Sequence, residues 1–198
     1  MGNPAASDPL PYGVILAGGE GRRMGGQDKA FIPFAGQPLI VHAMARLAPQ
    51  VAALAISAQG DAARFSRFDL PVLPDPVAGR QGPLAGILAA MIWAGHHGAR
   101  HVVCVPVDGP FLPVDLARRL GCAAVPRLAI CADRQHPTFG VWPSDLAQPL
   151  HDFLASGAVP RLRDFAAAVR AEWVDIPVPE AFENLNSPED LARAERRQ

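Results

Sequence analysis

The chain has 198 residues, of which 49% are hydrophobic and 19% are charged, a balance that predicts a folded globular protein. The formal net charge is −1, so there is no basic excess to support nonspecific binding to nucleic acid. The apolar runs fall well short of the roughly 20 residues that span a bilayer, and the N-terminal segment lacks the charged and apolar regions of a secretory signal.

Short apolar runs alternate with amphipathic stretches along the chain. Residues 1–10 are predicted to form a flexible tail, and residues 11–198 a single domain. The predicted strands are Gly13–Ala17, Leu54–Ala58, Pro71–Leu73, His101–Val105, Leu128–Ala132, Thr138–Trp142 and Trp173–Ile176. The predicted helices are Leu39–Ala48, Asp61–Phe65, Leu84–Gly95, Pro113–Leu120, Leu146–Ala155, Pro160–Arg170 and Pro188–Arg197. This alternation predicts an α/β fold with a mostly parallel central sheet and helices on both faces. Such sheets bind ligands beyond the carboxyl ends of their strands.

The chain contains three cysteines, Cys104, Cys122 and Cys131. Their odd number and the lack of CxxC spacing argue against a disulfide framework or a zinc site. Thiols suit a reducing compartment, so we expect a cytoplasmic protein.

A glycine-rich connection follows the first predicted strand. From Gly18 to Gln37 the chain runs for 20 residues before the next helix, and so long a connection is usually functional. It holds six glycines, which let backbone N–H groups approach an anion, and the cations Arg22, Arg23 and Lys29. These residues predict a cradle for polyphosphate. The alternative is a glycine-rich turn that only lets the strand meet the next element closely.

Lys29 is the only lysine in the chain, which otherwise uses 17 arginines as its basic side chains. A lysine at this point indicates a site that needs the compact charge of an ammonium group rather than the planar guanidinium group of an arginine. The alternative is a solvated surface lysine. The segment has no G-K-[ST] ending of a Walker A loop and no G-x-G-x-x-G leading directly into a helix.

The segment LAGGEGRRMGGQDK resembles the opening motif LAGGxxxRMGGxDK of molybdenum cofactor guanylyltransferases, which are nucleotidyltransferases with a Rossmann-like fold. The related cytidylyltransferases usually read LAAG and lack the MGGxDK ending. The resemblance implies that Leu16, Ala17, Gly18 and Gly19 bind the nucleotide. It also implies catalytic roles for Arg22 and Lys29, which would stabilise the leaving pyrophosphate.

Asp108 follows the apolar strand HVVCV and lies in the segment PVDGPFLPVDL. A carboxylate at the end of a central strand is well placed to hold a hard cation against phosphate oxygens. The alternative is a turn residue, because Asp-Gly-Pro is strong turn chemistry. The segment resembles the family's PCDxPFLPxDL, with Val107 in place of the usual cysteine. The resemblance implies that Asp108 ligates Mg²⁺ and takes part in nucleotide binding and catalysis.

Two further positions are implied to contact the nucleotide. Asp75 lies in VLPDPVAGRQGPLAG, where the resemblance places a nucleotide-contacting aspartate. Its alternative role is an Asx turn before Pro76. Ser57, at the end of the second predicted strand, stands where the family often has a nucleotide-contacting asparagine.

Other segments are implied to lie on the pterin side of the site. Gly82 opens a helix whose free N–H groups could receive an anion. RQHPTFGVW and ENLNSPEDL resemble family segments, which assigns Arg134, His136, Asn184 and Asn186 to this side. For His136 the alternative is a structural residue in a turn before a proline. Ser187 is expected to cap the last helix.

The resemblance covers roughly residues 12–195. It implies transfer of GMP from GTP to molybdopterin with Mg²⁺ as cofactor, giving molybdopterin guanine dinucleotide and pyrophosphate. GTP and molybdopterin are then the substrates, and molybdoenzymes or their chaperones are candidate partners. Two alternatives stay open: a molybdopterin cytidylyltransferase or other nucleotidyltransferase, and a noncatalytic nucleotide-binding module.

Overall fold

A twisted sheet crosses the molecule, with helices packed against it. The computed structural model describes residues 9–18, 28–77, 82–156, 159 and 161–197. The strands in this part of the chain are β1 (Tyr12–Leu16), β2 (Pro33–Phe34), β3 (Gln37–Pro38), β4 (Leu54–Ser57), β5 (Val72–Leu73), β6 (His101–Pro106), β7 (Arg127–Cys131), β8 (Arg134–Pro143) and β9 (Glu172–Asp175). The α-helices are α1 (Leu39–Leu47), α2 (Pro83–His96), α3 (Leu116–Leu120), α4 (Ala147–Ala155), α5 (Leu162–Ala168) and α6 (Pro188–Glu195).

The main sheet contains the seven predicted strands in the order β5-β4-β1-β6-β8-β7-β9. β1 pairs in parallel with β4 on one side and β6 on the other, and only β8 runs against its neighbours. The side chains of β1 are therefore buried from both faces, with Val14 and Ile15 fully inaccessible. The predicted α/β fold with a mostly parallel sheet is confirmed.

The two faces of the sheet carry separate hydrophobic cores. Val14 and Leu16 of β1 pack with α2, α4 and α5, whereas Ile15 and Ala17 pack with α1 and α3. This division follows from the alternation of side chains along a strand. The prediction of helices on both faces is confirmed. Among the described residues, no helix is long and apolar enough to cross a membrane.

Several predicted boundaries are wrong. The 20-residue connection contains a 3₁₀ turn at Lys29–Phe31 and the β2–β3 hairpin. The helix predicted over Asp61–Phe65 forms as a 3₁₀ segment, Ala62–Phe68. The helix predicted from Pro113 begins only at Leu116, because Asp115 has a non-helical backbone conformation (φ −128°, ψ 24°). Most of the predicted tail and the starting residue of the helix predicted at Pro160 lie outside the described residues.

α2 approaches the sheet closely at Gly86. A Cβ atom at this position would lie 2.7 Å from Ser57 Oγ and 2.9 Å from Leu16 Cδ2. The absence of a side chain thus lets the helix lie directly against the ends of β1 and β4.

We expect Gly86→Ala to destabilise the protein by about 1–3 kcal/mol, because an extra methyl group in a packed interior forces its neighbours apart. Each kcal/mol lowers Tm by about 2–4 °C in a chain of this size. Gly95→Ala on the same helix is the control, since its nearest neighbour, Ser144 Cβ, would be 3.7 Å away. Calorimetry should give a lower Tm for Gly86→Ala only; equal Tm values would contradict the close approach.

Candidate nucleotide site

A cleft opens at the carboxyl ends of β5, β4, β1 and β6, as expected for a parallel sheet. Its volume is about 270 Å³. Its lining residues come from the ends of these strands, the 3₁₀ turn at Lys29, the start of α2, the β8 segment and the region before α6: Leu16, Gly18, Lys29, Ser57, Gln59, Asp75, Gly82, Pro83, Gly86, Pro106, Val107, Asp108, Thr138 and Asn184. The cleft thus brings together eight of the site residues that the sequence predicts.

The remaining predicted site residues occupy different places. Ala17 lies beneath the cleft, where its backbone N–H donates to Ser57 O at 2.8 Å. Asn186 reaches Lys29 rather than the cleft wall. Gly19 and Arg22 lie outside the described residues. Arg134 and His136 line a second pocket.

The Lys29 ammonium group lies between two oxygen atoms. Lys29 Nζ donates to Asp108 Oδ2 and to Asn186 Oδ1, each at 2.5 Å. The side chains of Lys29 and Asp108 are 14% and 13% exposed, so both charges are largely withdrawn from water. A close ion pair offsets the cost of that desolvation. The cluster brings a cation and a carboxylate to one end of the cleft, and the cation could bind phosphate oxygens there.

Asp28 fixes the turn that carries Lys29. Its Oδ1 accepts a hydrogen bond from the Ala30 N–H at 3.1 Å and caps the 3₁₀ turn. Its Oδ2 accepts from Arg64 Nε at 2.8 Å. Sequence reasoning missed both Asp28 and Arg64 as site-forming residues. Asp28 could have been found, because it directly precedes Lys29 in the motif.

Asp108 is held by its backbone at the end of β6. The Leu185 N–H donates to Asp108 O at 2.8 Å, which joins this strand end to the segment before α6. The next residue must be small, because a Cβ on Gly109 would lie 2.4 Å from Phe139 Cζ. The Asp-Gly-Pro turn therefore has a packing role beside the placement of the carboxylate.

The segment before α6 positions Asn186. Asp190 Oδ2 accepts hydrogen bonds from the backbone N–H groups of Asn186 and Ser187, both at 3.0 Å. Ser187 Oγ in turn accepts from the Asp190 N–H at 3.2 Å, so the expected cap at Ser187 is a complete capping box. The neighbouring Asn184 lines the cleft, and its Oδ1 is buried without a hydrogen-bond partner in the part of the chain that the structure describes.

Hydrogen-bonding groups line the opposite end of the cleft. Among the described residues, no basic side chain lines this end. Asp75 Oδ2 accepts a hydrogen bond from Gln59 Nε2. Gln59 and Asp108 follow β4 and β6, which flank β1, so about 10 Å separates the two ends of the cleft by strand spacing. Sequence reasoning missed Gln59; its signal is its position directly beyond a parallel strand.

A bulge in β8 separates His136 from the cleft. Leu128 of β7 pairs with Gly140, but the next residue, Ala129, pairs with His136, so the residues between them on β8 have no partner on β7. Thr138, inside this bulge, lines the cleft, whereas His136 stacks on Phe182 with ring centroids 4.7 Å apart. This redirection of neighbouring side chains is a usual consequence of a bulge.

The second pocket, of about 430 Å³, contains Arg134, His136 and Phe182. Burial, and then the charge of Arg134, lower the pKa of His136, which favours the neutral ring. The predicted contacts of Arg134 and His136 with a pterin stay predictions.

Residues 13–172 match the family model described as the MobA-like NTP transferase domain. The chain belongs to this family. A relative from Cereibacter sphaeroides, named molybdenum cofactor guanylyltransferase, is 50% identical and covers 93% of this chain and 95% of its own. A relative of the same name from Rhodopseudomonas palustris strain HaA2 is 42% identical, with coverages of 96% and 93%.

The solved structures agree in fold. Molybdopterin-guanine dinucleotide biosynthesis protein A from Archaeoglobus fulgidus has a TM-score of 0.72 at 22% identity, and covers 93% of this chain and 97% of its own. The inositol-1-phosphate CTP transferase from T. maritima has a TM-score of 0.71 at 13% identity, covering 94% of each chain. At these identities the structures show that this MobA-like chain has the family's fold.

The donor atoms of this MobA-like site fit a magnesium ion. Among the described residues, no group of three His, Cys, Asp or Glu side chains is placed to hold a metal. Mg²⁺ does not require one, because it usually binds one or two carboxylates and completes its shell with water and substrate phosphates. Asp108 could provide the carboxylate, and Asn184 Oδ1, which has no hydrogen-bond partner among the described residues, is a further hard oxygen in the same cleft.

The capping box of α6 predicts a pH-dependent contribution to stability. Burial alone would raise the pKa of Asp190, but hydrogen bonds from the Asn186 backbone and from Arg193 outweigh it and lower the pKa. A lowered pKa in the folded state stabilises the protein above the ordinary pKa of about 3.9, and this stabilisation is lost as the pH falls through the folded value.

We expect Asp190→Asn to lower the free energy of unfolding by about 1 kcal/mol at pH 7, the usual value of a cap, and by less at pH 3. Asp152→Asn is the control, because among the described residues that exposed carboxylate forms hydrogen bonds only with the side chains of Gln148 and His151. Urea unfolding between pH 3 and 7 measures both variants. A deficit in Asp190→Asn that stays constant with pH would contradict the role of the ionised carboxylate.

Proposed function

We propose that the chain transfers GMP from GTP to the terminal phosphate of molybdopterin, forming molybdopterin guanine dinucleotide and pyrophosphate. One structural observation carries this proposal. A cleft at the carboxyl ends of parallel strands holds the Lys29–Asp108 pair at one end and the Gln59–Asp75 pair at the other. The guanylyltransferase relatives, 42–50% identical over most of the chain, support the same activity.

The two ends of the cleft suggest how the nucleotide lies in it. The phosphates are placed near Lys29, where a cation can neutralise them, and the base near Gln59 and Asp75, which supply hydrogen bonds. A carboxylate facing the N1–H and N2 amine of guanine accepts two donors that cytosine does not present together. The nucleoside would cross the ends of β1 and β4, beside Leu16, Gly18 and Ser57, with Ala17 and Gly19 adding backbone contacts as predicted.

The reaction forms one P–O bond and breaks another. A phosphate oxygen of molybdopterin attacks the α-phosphorus of GTP, and the bond from that phosphorus to the bridging oxygen of the β-phosphate breaks, so pyrophosphate leaves. The nucleophile is already an anion, and no side chain needs to remove a proton from it. The protein contributes in-line positioning and neutralisation of charge. Lys29, with the predicted Arg22, would stabilise the departing pyrophosphate.

Asp108, with Asn184 nearby, would hold Mg²⁺ in this scheme. The ion supplies charge withdrawal from the phosphoryl oxygens when it is bound. Lys29, which contacts both Asp108 and Asn186, would face the phosphates from the same end of the cleft.

We place molybdopterin at the side of the cleft formed by Gly82 and Asn184. Gly82 adopts a left-handed conformation (φ 59°) directly before α2, whose first turn presents N–H groups to an anion. Asn184 and Thr138 line the same cleft. Arg134 and His136 are predicted to act nearby, from the second pocket. The reaction is expected in the cytoplasm, and molybdoenzymes or their chaperones are predicted to receive the product.

Nucleotide choice provides the first test. With molybdopterin and Mg²⁺, we expect pyrophosphate release from GTP to exceed that from CTP or ATP by about 10²-fold or more, because a wrong base leaves buried polar groups unpaired. Asp75→Ala should weaken GTP binding and reduce this preference, whereas Asp175→Ala, on the far edge strand β9, should change neither. Equal turnover of GTP and CTP by the wild-type protein would contradict the guanylyl assignment.

Asp108→Asn tests the metal and the mechanism. Asparagine keeps the size and turn tendency of the residue but removes the charge that a hard cation requires. We expect turnover to fall by about 10²-fold or more, with Tm changed by only a few degrees and part of the rate recovered at high Mg²⁺.

Asp115→Asn is the matched control for this variant. It lies in the same PVDGPFLPVDL segment but pairs with Arg118 and Arg119 outside the cleft, so turnover should be preserved. Normal turnover of folded Asp108→Asn at low Mg²⁺ would reject the metal assignment.

A further inference from the structure

Arg64 donates hydrogen bonds from all three of its guanidinium nitrogens. Its Nε donates to Asp28 Oδ2 at 2.8 Å, one terminal nitrogen to Asp61 O at 2.6 Å, and the other to Gln59 O at 2.5 Å. The guanidinium group also lies over the Phe65 ring, 4.6 Å from its centroid, and this ring is 1% exposed. The side chain is thus fixed from several directions.

Two of the three hydrogen-bond partners of Arg64, Asp28 and Gln59, belong to the segments that form the two ends of the cleft. Asp28 caps the turn that carries Lys29, at the end assigned to the phosphates. Gln59 binds Asp75, at the end assigned to the base. Arg64 does not line the cleft itself, although it contacts the segments that form both of its ends.

We propose that Arg64 is a positioning residue that sets Lys29 and the Gln59–Asp75 pair at a fixed separation, so that a nucleoside triphosphate meets both at once. The proposal rests on the proposed function, whose nucleotide spans these two ends. Positioning of this kind is worth a great deal in group transfer, since misplacement by about 1 Å can cost about 10²-fold in rate.

The geometry requires arginine at this position. A guanidinium group presents its donors in a rigid planar fork, whereas a lysine ammonium group is a single point on a flexible stem. The side chains of Arg64 and Asp28 are 28% and 30% exposed, so solvent screens the attraction between their charges. The directed hydrogen bonds, rather than the charge alone, therefore fix the two segments. Arg64→Lys, which keeps the charge, should fail to replace them.

We expect Arg64→Met and Arg64→Lys to lower kcat by about 10- to 10²-fold and to weaken GTP binding, while both variants stay folded. Arg67→Met is the matched control. Arg67 lies on the same 3₁₀ segment, and its guanidinium group stacks on the rings of Phe31 and Phe68. It should retain wild-type kcat and GTP affinity.

Double-mutant cycles separate positioning from a general loss of stability. If Arg64 acts through Lys29, Arg64→Met should cause no further loss of kcat in a Lys29→Ala background. If it acts through Asp75, it should cause no further loss of GTP affinity in an Asp75→Ala background. Losses that multiply in both backgrounds, or full activity of Arg64→Lys, would overturn the proposal.

Failure of the proposed function can be told apart from failure of this inference. A wild-type protein that releases no pyrophosphate from GTP and molybdopterin would reject guanylyl transfer. The same cycles would then be run on equilibrium GTP affinity measured by calorimetry. In that case unchanged GTP affinity in Arg64→Met would reject the positioning role, and coupling to either partner would support it.

Discussion

The contact between the Lys29 ammonium group and the Asp108 carboxylate is the interaction around which the site is arranged. These residues are 79 positions apart in the chain, and Asn186, the other partner of the lysine, is 157 positions from it. Each charge is largely withdrawn from water, and neither could be left there alone without a large desolvation cost. The Asp108 carboxylate balances the charge of the lysine at the end of the cleft, and the proposed contacts with phosphate and metal both depend on this pair.

Strand order determines where this pair can form. β1 lies between β4 and β6 and is buried on both faces, and its carboxyl end opens into the cleft. β6 brings Asp108 to one side of this point, and β4 brings Ser57 and Gln59 to the other. The approach of α2 at Gly86 then closes the floor of the cleft. The position of the cleft thus follows from the topology, and the side chains at the strand ends give it a charged end and a hydrogen-bonding end.

The sequence predicts the parts of the site that local pattern encodes and misses those that depend on long-range contact. The seven strands of the main sheet and the placement of Asp108 in the cleft could be predicted, because apolar runs and polar strand ends are local signals. The placement of Lys29 in the cleft could be predicted from the glycine-rich motif that carries it. The β7–β8 turn could not, since Ala132 and Asp133 take positive φ values without the glycine that usually marks such turns. The bulge in β8 that separates His136 from the cleft has no local sequence signal either. Arg64 gives no signal either, as its partner Asp28 is 36 residues away.

Two carboxylates that do not line the cleft fix the backbone around Lys29 and around its partner Asn186. Asp28 anchors the turn that carries Lys29, and Asp190 anchors the backbone of its partner Asn186. Both do so by accepting backbone N–H groups at the start of a helical turn, which fixes the main chain on either side of the contact between Lys29 and Asn186. The backbone around the ion pair is thus fixed by carboxylates that are not part of it, so the fold sets the position of the Lys29 charge. This arrangement suits a reaction whose catalysis depends on the placement of charge.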